Sequence, residues 1–359
     1  MIETLFALSL LCSTPVSDDG PPHVHHEDCG PHEVIEWAAQ RGGALVGRSD
    51  TTITVERGLT LVLQGLDGDI QVGTWPRQQL RVEAEHGRRD RLVLRREGRR
   101  LHVEAVRPNS IAAHVEWKLT VPEWLPLQIS CLGGDVTVEG TQGRLEVSAL
   151  SGDVKVQGAR GPLSLNSVEG QVQVLDTEGT IRASSINNDV RLTRIVGEVD
   201  AQSVNGSIRM EYLRALHVVA SSVNGRVWFV GPLQPQGRYN LSSHNGEMLI
   251  GLPDGQDAQM RVTTHQGEVQ SDLPGWTVPS PSTSRSFTFK LGAGGSEVDL
   301  ESFNGLIQLL QLKDVELKLQ RVDERIRERV RQRSAPRAPR VPRPAGTPPP
   351  APEAPKEDR

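Results

Sequence analysis

The sequence is poor in the residues that build compact helical cores and disulfide frameworks. Only 4% of its 359 residues are aromatic, and its three cysteines are Cys12, Cys29 and Cys131. Three cysteines exclude a disulfide framework, although Cys29 and Cys131 leave room for one bridge. Glycine, in contrast, occurs 35 times. Few bulky residues and many turn formers favour many short strands over a helical bundle.

The sequence also lacks long hydrophobic runs and an excess of basic charge. The run Leu5–Cys12 is too short to span a bilayer as a helix, so we predict no transmembrane span. Small residues follow it up to residue 17, as in a secretory signal, but no Lys or Arg precedes it. We therefore predict an exported protein, periplasmic or at the cell surface, and a cytoplasmic one if this segment is not a signal peptide. A formal net charge of −5 predicts no nucleic-acid partner.

What the sequence does contain is a repeat. One turn position recurs at spacings of 18, 18, 18, 18, 19, 21, 21 and 38 residues. It is occupied by Gly134, Gly152, Gly170, Asn188, Gly206, Gly225, Gly246, Gly267 and Gly305. A fixed period near 20 residues is the signature of stacked supersecondary units. The doubled last spacing predicts a loop inserted between Ser271 and Phe287.

Apolar residues alternate on both sides of each turn position. The second and fourth residues after the turn are apolar in nearly every repeat, as are the residues seven and five before it. Because alternate residues of a strand face one side, each repeat supplies two short strands with two inward residues each. We therefore predict an all-β fold, a β-solenoid or two-sheet β-roll of about nine repeats of 18–21 residues, stacked in register.

Composition divides the chain around this repeat. The predicted segments are a signal peptide (1–17), a His-rich flexible lead-in (18–49), an irregular β part (50–130), the regular repeat (131–310), an amphipathic helix (311–333) and a Pro-rich disordered tail (334–359). The apolar stripe of the helix, from Val315 to Val330, predicts either a cap on the open end of the stack or self-association as a short coiled coil. The irregular part contains a hairpin turning at Glu97–Gly98, and seven arginines within 88–100 predict a local basic patch.

The residues before the turn position repeat as a phrase of small hydroxyl, apolar residue, Asn and Gly, as in Ser221–Val230. Asn-Gly tolerates positive φ in tight turns, and we expect the stacked serines to bond one another and the turn backbone. Within this phrase we expect Val223, Val227 and Phe229 to face the core. Trp228 should face outward, which makes it a candidate binding residue.

Histidine and cysteine supply the candidate metal ligands. The densest cluster comprises His23, His25, His26, Cys29 and His32. Nitrogen and sulfur ligands suit Zn²⁺ or Cu, although the spacing matches no standard finger, and a lead-in without metal is the alternative interpretation. His244 and His265 both lie two residues before a turn position, on repeats that we expect to be neighbours. Two ligands are too few for a metal site, so we group them with Trp228 as a candidate binding surface.

Enzyme signatures are missing from the sequence. It contains no Walker loop, no Rossmann fingerprint, no His-Glu-x-x-His and no Gly-x-Ser-x-Gly. We therefore predict no catalytic residues and no cofactor. The residue after the turn is often acidic, as at Asp153, Asp189, Glu247 and Glu268, and this acidic stripe is most simply a solvated face. A sugar or Ca²⁺ site there is the alternative.

The ordered series of turns resembles a known family. The segments "GGDVTVEG", "SGDVKVQG", "SVNGSIRM" and "SHNGEMLIGLP" resemble the bacterial putative-adhesin, or toast-rack, domain. Lys118–Val138 is similar to the entry of that domain into its first turn, and Lys290–Leu309 to its closing strand pair. The resemblance covers roughly residues 50–310 and implies an exported β-repeat domain of unknown activity, without known catalytic residues.

We therefore predict a non-enzymatic envelope-associated protein that acts as an interaction, scaffolding or adhesion surface. Its partner would be an envelope protein or a polysaccharide. Three alternatives remain open from the sequence. They are a polymer-forming scaffold similar to bactofilins, a carbohydrate-binding or carbohydrate-active β-helix protein, and a periplasmic metal-handling protein.

Overall fold

A computed structural model describes residues 32–37, 46–107, 114–274, 276 and 285–315. The predicted signal peptide, the Pro-rich tail and the ligand cluster up to Cys29 lie outside the described residues. So does the predicted helix beyond Val315, of which residues 312–315 are helical. Every strand of the described residues lies within residues 1–312, the first of two units of the chain.

The described residues form 27 strands. In chain order these are β1 (His32–Trp37), β2 (Val46–Thr54), β3 (Thr60–Gly65), β4 (Ile70–Trp75), β5 (Gln79–Gly87), β6 (Arg91–Glu97), β7 (Arg100–Val106), β8 (Val115–Pro122), β9 (Leu127–Cys131), β10 (Val136–Glu139), β11 (Leu145–Ala149), β12 (Val154–Gln157), β13 (Leu163–Ser167), β14 (Val172–Leu175), β15 (Glu178–Ser185), β16 (Val190–Thr193), β17 (Val196–Ser203), β18 (Ile208–Glu211), β19 (Arg214–Ser222), β20 (Val227–Val230), β21 (Arg238–Ser243), β22 (Met248–Leu252), β23 (Ala258–Thr264), β24 (Val269–Ser271), β25 (Ser286–Leu291), β26 (Ser296–Ser302) and β27 (Ile307–Gln311).

The strands form two long sheets. Sheet A has the order β1-β6-β7-β3-β9-β11-β13-β15-β17-β19-β21-β26-β23-β25, and sheet B the order β2-β5-β8-β4-β10-β12-β14-β16-β18-β20-β22-β27-β24. From β9 to β22 the chain alternates between the sheets, and we call each sheet A strand with the sheet B strand that follows it a coil. Neighbouring coils pair in parallel and in register, so that Val154 lies opposite Val136 and Val172. The predicted β-solenoid is confirmed.

The inward apolar columns form one hydrophobic core between the sheets. Val154, Val172 and Val190 have no exposed surface, and the paired columns of sheet A are equally buried. A single coil cannot cover its own apolar face, so this burial requires stacked neighbours. The inward column of sheet B is less completely buried only at β24, where Val269 and Ser271 are partly exposed.

Glycine recurs at the turn because stacked turns approach closely, which corrects the expected role of Asn-Gly. In those turns neither Asn205 nor Asn224 has a positive φ, and Gly206 and Gly225 lie outside the left-handed region. A Cβ on Gly225 would lie 1.8 Å from the carbonyl oxygen of Gly206 in the preceding coil. The asparagines instead form a ladder, in which Asn224 Nδ2 donates to Asn205 Oδ1 at 3.0 Å.

The buried hydroxyl ladder connects each turn to the coil before it. Ser222 Oγ accepts a hydrogen bond from Gly225 N at 2.9 Å and donates to the carbonyl oxygen of Gly206 at 3.1 Å. Ser203 and Ser243 repeat the arrangement. The predicted bonds to the turn backbone are confirmed at these serines, whereas the expected bonds between serines are wrong there because backbone groups satisfy their hydroxyls.

The N-terminal part departs from the parallel pattern. β1 pairs antiparallel with β6, β6 with β7, and β2 with β5, which in turn pairs antiparallel with β8. The hairpin predicted at Glu97–Gly98 is present, with Glu97 opposite Arg100. β1 and the start of β2 lie inside the segment predicted as a flexible lead-in, so strand structure begins earlier than expected.

The C-terminal end crosses over, which corrects the predicted loop insertion. The last coil, β26 with β27, lies between β21–β22 and β23–β24. The segment inserted between the two adjacent coils is therefore the whole of β23, β24 and β25, and not only the loop after Ser271. Asp257 connects the start of this inserted segment, just before β23, to its end after β25. Its Oδ1 accepts from Ala293 N at 2.7 Å, and its carbonyl oxygen accepts from Ser296 N at 3.1 Å.

Candidate interaction surface

A continuous row of exposed side chains runs along the edge where sheet A turns toward sheet B. Each member is the first residue after a sheet A strand, and from Leu132 onward its backbone N–H donates to the preceding strand in the stack. We call this row the turn-edge ladder. In spatial order it comprises Leu66, Leu132, Leu150, Val168, Ile186, Val204, Val223, His244, Phe303 and His265. With strands about 4.8 Å apart, its ten members span about 43 Å.

Most members of the turn-edge ladder are exposed apolar residues. Leu132 is 52% exposed, Val204 41% and Phe303 40%. Val223, which we expected in the core, is 42% exposed. The sequence contained the signal for this correction: Ser222 faces inward, so alternation places the next residue outward.

The rows beside the ladder are polar but almost uncharged. We compare the seven coils whose turn positions run from Gly134 to Gly246. The row two residues before the ladder contains only Ser, Asn and Gln, from Ser130 to Ser242. The row directly after it contains Gly, Ser and Asn, and Glu169 is its one charged member. In a chain with 24% charged residues, this strip is a distinct surface.

An aromatic stack ends the ladder. The rings of His244 and Phe303 are stacked at 4.6 Å with an interplanar angle of 13°, and the His265 ring lies 5.4 Å from Phe303 on the other side. The expectation that His244 and His265 occupy neighbouring coils is wrong, because the crossed coil places Phe303 between them. The two imidazoles are thus separated by a phenyl ring, and His265 Nε2 instead lies 3.7 Å from Glu301.

Trp228 lies elsewhere, on the outer face of sheet B. Its strand neighbours are Arg209 and Leu249, and the guanidinium carbons of Arg209 and Arg226 lie 5.6 and 5.9 Å from its ring centre. The outward orientation predicted for Trp228 is therefore observed, but the residue is only partly exposed because these neighbours cover it. It shares no surface with His244 and His265.

The acidic stripe has a structural role. The Oδ1 of Asp135 accepts from Asp153 N at 2.8 Å, and that of Asp153 from Gln171 N at 2.8 Å in the next coil. Asp189 bonds Ser207 N in the same way. The carboxylates follow the stack in a line on the outer face of sheet B and do not converge in a groove, as a sugar-cleaving site would require.

The basic patch is present on the β6–β7 hairpin. Its arginines are exposed except Arg96, which is partly buried and lies 3.4 Å from Glu56. Arg95 lies 3.6 Å from Glu104. Glu104 lies in β7 and Glu56 in the connection between β2 and β3, so these two arginines pair with carboxylates outside the acidic stripe.

The described residues also contain a buried thiol and an open depression. Burial raises the pKa of the Cys131 thiol, which donates to the carbonyl oxygen of Gly133 at 3.0 Å and stays protonated. An open depression of about 400 Å³ on sheet A is lined by Asn240, Arg261 and Asp299, among others, and the last two form an ion pair at 3.3 Å. Within the described ranges, no three His, Cys, Asp or Glu residues are grouped as metal ligands would be. His32, the one member of the predicted metal cluster within them, lies in β1.

The regular coils form two sheets of parallel strands, which pair in register, enclose one hydrophobic core and are joined by turns that contain glycine. This arrangement is a β-solenoid. The chain belongs to the family described as Toastrack DUF4097, whose model matches residues 59–310, so the resemblance seen in the sequence is confirmed. This match spans the irregular strands, the regular coils and the crossed end. None of the curated proteins compared with the chain matches it.

Three solved structures are similar to the chain at low identity. A putative adhesin from Bacteroides fragilis is 14% identical, covers 73% of this chain and 96% of its own, and has a TM-score of 0.35. A putative adhesin from Parabacteroides merdae is 13% identical over 57% of this chain and 89% of its own, also at 0.35. A putative cell adhesion protein from Clostridium sporogenes is 12% identical over 74% and 99%, at 0.23. The family assignment therefore depends on the family model. In the part of the chain that the structure describes, no helix has the length and apolarity to cross a membrane.

Proposed function

We propose that the protein is a non-enzymatic, exported, envelope-associated protein whose repeat surface serves interaction, scaffolding or adhesion. The observation that carries this proposal is the turn-edge ladder, a row of half-exposed apolar side chains about 43 Å long on a rigid edge. Large exposed apolar surfaces on soluble folds mark interaction sites. The family match supports a β-repeat surface protein and assigns no chemistry to it.

The mechanism follows from the regular spacing of the ladder. Each member offers one weak apolar contact, and the flanking Ser and Asn residues offer hydrogen bonds. Contacts that are individually weak become strong when a rigid body presents many of them together. We assign His244 and His265 to this surface, because they continue the ladder at its aromatic end, and we keep Trp228 as a separate candidate on sheet B. The partner is an envelope protein or a polysaccharide.

Cell fractionation tests the export part of the proposal. The full chain, tagged at its C-terminus, should be recovered from the periplasmic or surface fraction, shortened near residue 17. Recovery in the cytoplasm with the N-terminus intact would contradict export.

Binding to isolated envelope material tests the surface. The purified chain should sediment with envelope fragments, and Leu150→Glu should weaken this binding because it places a charge on the apolar ladder. Leu216→Glu is the control, since Leu216 is as exposed, at 53% against 50% for Leu150, but lies away from the ladder. We expect at least a tenfold loss of binding for Leu150→Glu alone. Equal binding by both variants would remove the ladder from the proposal.

A further inference from the structure

We propose that the turn-edge ladder is a self-association surface, on which two copies of this chain pack ladder against ladder. The inference deepens the proposed function, because it names the partner of the same surface. Its occupant is a second copy of this chain, related by a twofold axis.

The spacing of the ladder favours a second copy. Its members repeat at the strand spacing, about 4.8 Å, and from Leu132 onward each is fixed by a backbone hydrogen bond to the preceding strand in the stack. A second ladder has the same spacing, so the side chains of two ladders running in opposite directions interdigitate along their whole length. A twofold arrangement uses one patch on both copies, which is the commonest symmetry of homo-oligomers.

Charge favours the same occupant. Each copy has a formal net charge of −5, so two copies repel each other weakly at long range. The ladder and its two flanking rows carry a single carboxylate, Glu169, on the seven coils compared above. The centres of protein interfaces are depleted of charge in this way. Asn187, Asn205, Asn224 and Asn245 bond one another along the strip, which satisfies one N–H and one oxygen lone pair of each inner member before a second copy packs on it.

The size of the strip predicts a weak dimer. A strip about 43 Å long and about 10–15 Å wide covers on the order of 400–600 Å² of each copy, against about 800 Å² per partner in a stable interface. Association is therefore reversible and depends on concentration. Such contacts become effective when many copies face one another on two surfaces, and self-association of this kind would suit an adhesive protein.

Sedimentation velocity on the full chain, over micromolar to submillimolar concentrations, tests the inference. The wild-type chain should shift from monomer to dimer. Val204→Glu, in the middle of the ladder, should weaken dimerisation at least tenfold, because the twofold axis brings the new carboxylates of both copies into the apolar interface. Val196→Glu should leave it unchanged. Val196 is the matched control, since it is the same residue type at the other end of β17 and is 40% exposed, against 41% for Val204.

The outcomes separate this inference from the proposed function. Unchanged thermal unfolding of Val204→Glu would show that the loss reflects the surface, and Ile186→Glu, one coil away, should reproduce it. A wild-type chain that stays monomeric at every concentration overturns the inference, even if it binds envelope polysaccharide and the proposed function stands. A dimer that survives Val204→Glu also overturns it, as does an equal loss in Val196→Glu.

Discussion

The regular coils from β9 to β22 and the crossed end from β23 to β27 are built from the same sequence phrase but stacked by different rules. In the regular part, each coil lies on the one before it in the chain. At the crossed end, the last coil lies between β21–β22 and the strands β23–β24, although β23 and β24 come before it in the chain. The comparison shows that the repeated phrase encodes the geometry of a coil but not the identity of its neighbour. Any coil with matching columns can take the next place.

Substitutions of glycine should most strongly separate the stacked turns, which occur in both regions, from the connection that leads to the crossed end. We expect Gly225→Ala to lower the free energy of unfolding by about 3 kcal/mol or more, because the new Cβ would meet the Gly206 carbonyl at 1.8 Å. Gly255→Ala, in the connection to the crossed end, should cost about 1 kcal/mol, because φ is +77° there but nothing lies within 4 Å. Urea denaturation measures both. Similar losses of unfolding free energy in the two variants would mean that the stacked turns can move apart to accommodate a Cβ.

Serine substitutions should show a smaller difference of the same kind. Ser222→Ala removes two hydrogen bonds between a turn and its neighbour and leaves backbone groups unpaired, so we expect a loss of about 2 kcal/mol. The Ser302 hydroxyl, in the crossed coil, is buried and makes no hydrogen bond among the described residues. Ser302→Ala should therefore change stability by less than about 0.5 kcal/mol or increase it. A large loss at Ser302 would indicate that the hydroxyl bonds the crossed turn in solution.

The N-terminal end should differ from both regions in its response to acid. Arg107 and the Gly87 N–H hold the pKa of the buried Asp90 below its usual value. A depressed pKa stabilises the fold above the unfolded value, about 3.9, and this contribution is lost as the pH falls through the folded value. We expect Asp90→Asn to cost about 1 kcal/mol at pH 7, since Arg107 is partly solvated, and progressively less as the pH falls below about 3.9.

Unfolding measured by tryptophan fluorescence from pH 7 to pH 2 would follow this difference. Asp176→Asn is the control, because Arg194 also lowers the pKa of Asp176 but that pair is exposed. Its effect at pH 7 should be smaller than that of Asp90→Asn. A constant difference between wild type and Asp90→Asn across this range would rule out Asp90 as the titrating group.

The sequence predicted the coils because their columns are local. The alternation of Val154 and Val156 indicates a strand and its inward face, and the 18-residue spacing to Val172 indicates which residues lie opposite each other in neighbouring coils. The crossover could not be predicted, because the core columns of β23 and β26 are equally apolar, as at Val262 and Leu300, and either fits beside β21. The turn-edge ladder could have been found, since its parity follows from the inward serines. Of its members, only Val223 was predicted to face a particular side, and its predicted position in the core is wrong.

The crossed end also restricts how the protein can be made. A chain synthesised from its N-terminus can add coils one at a time as far as β22. β23 then has no sheet partner in its final arrangement until β25 and β26 exist, since its ladders are made with those two strands. β23 therefore cannot join its sheet until β25 and β26 have been made, and about the last 60 residues of the solenoid assemble together. Assembly of the solenoid therefore ends with a concerted step, whereas its middle can grow one coil at a time.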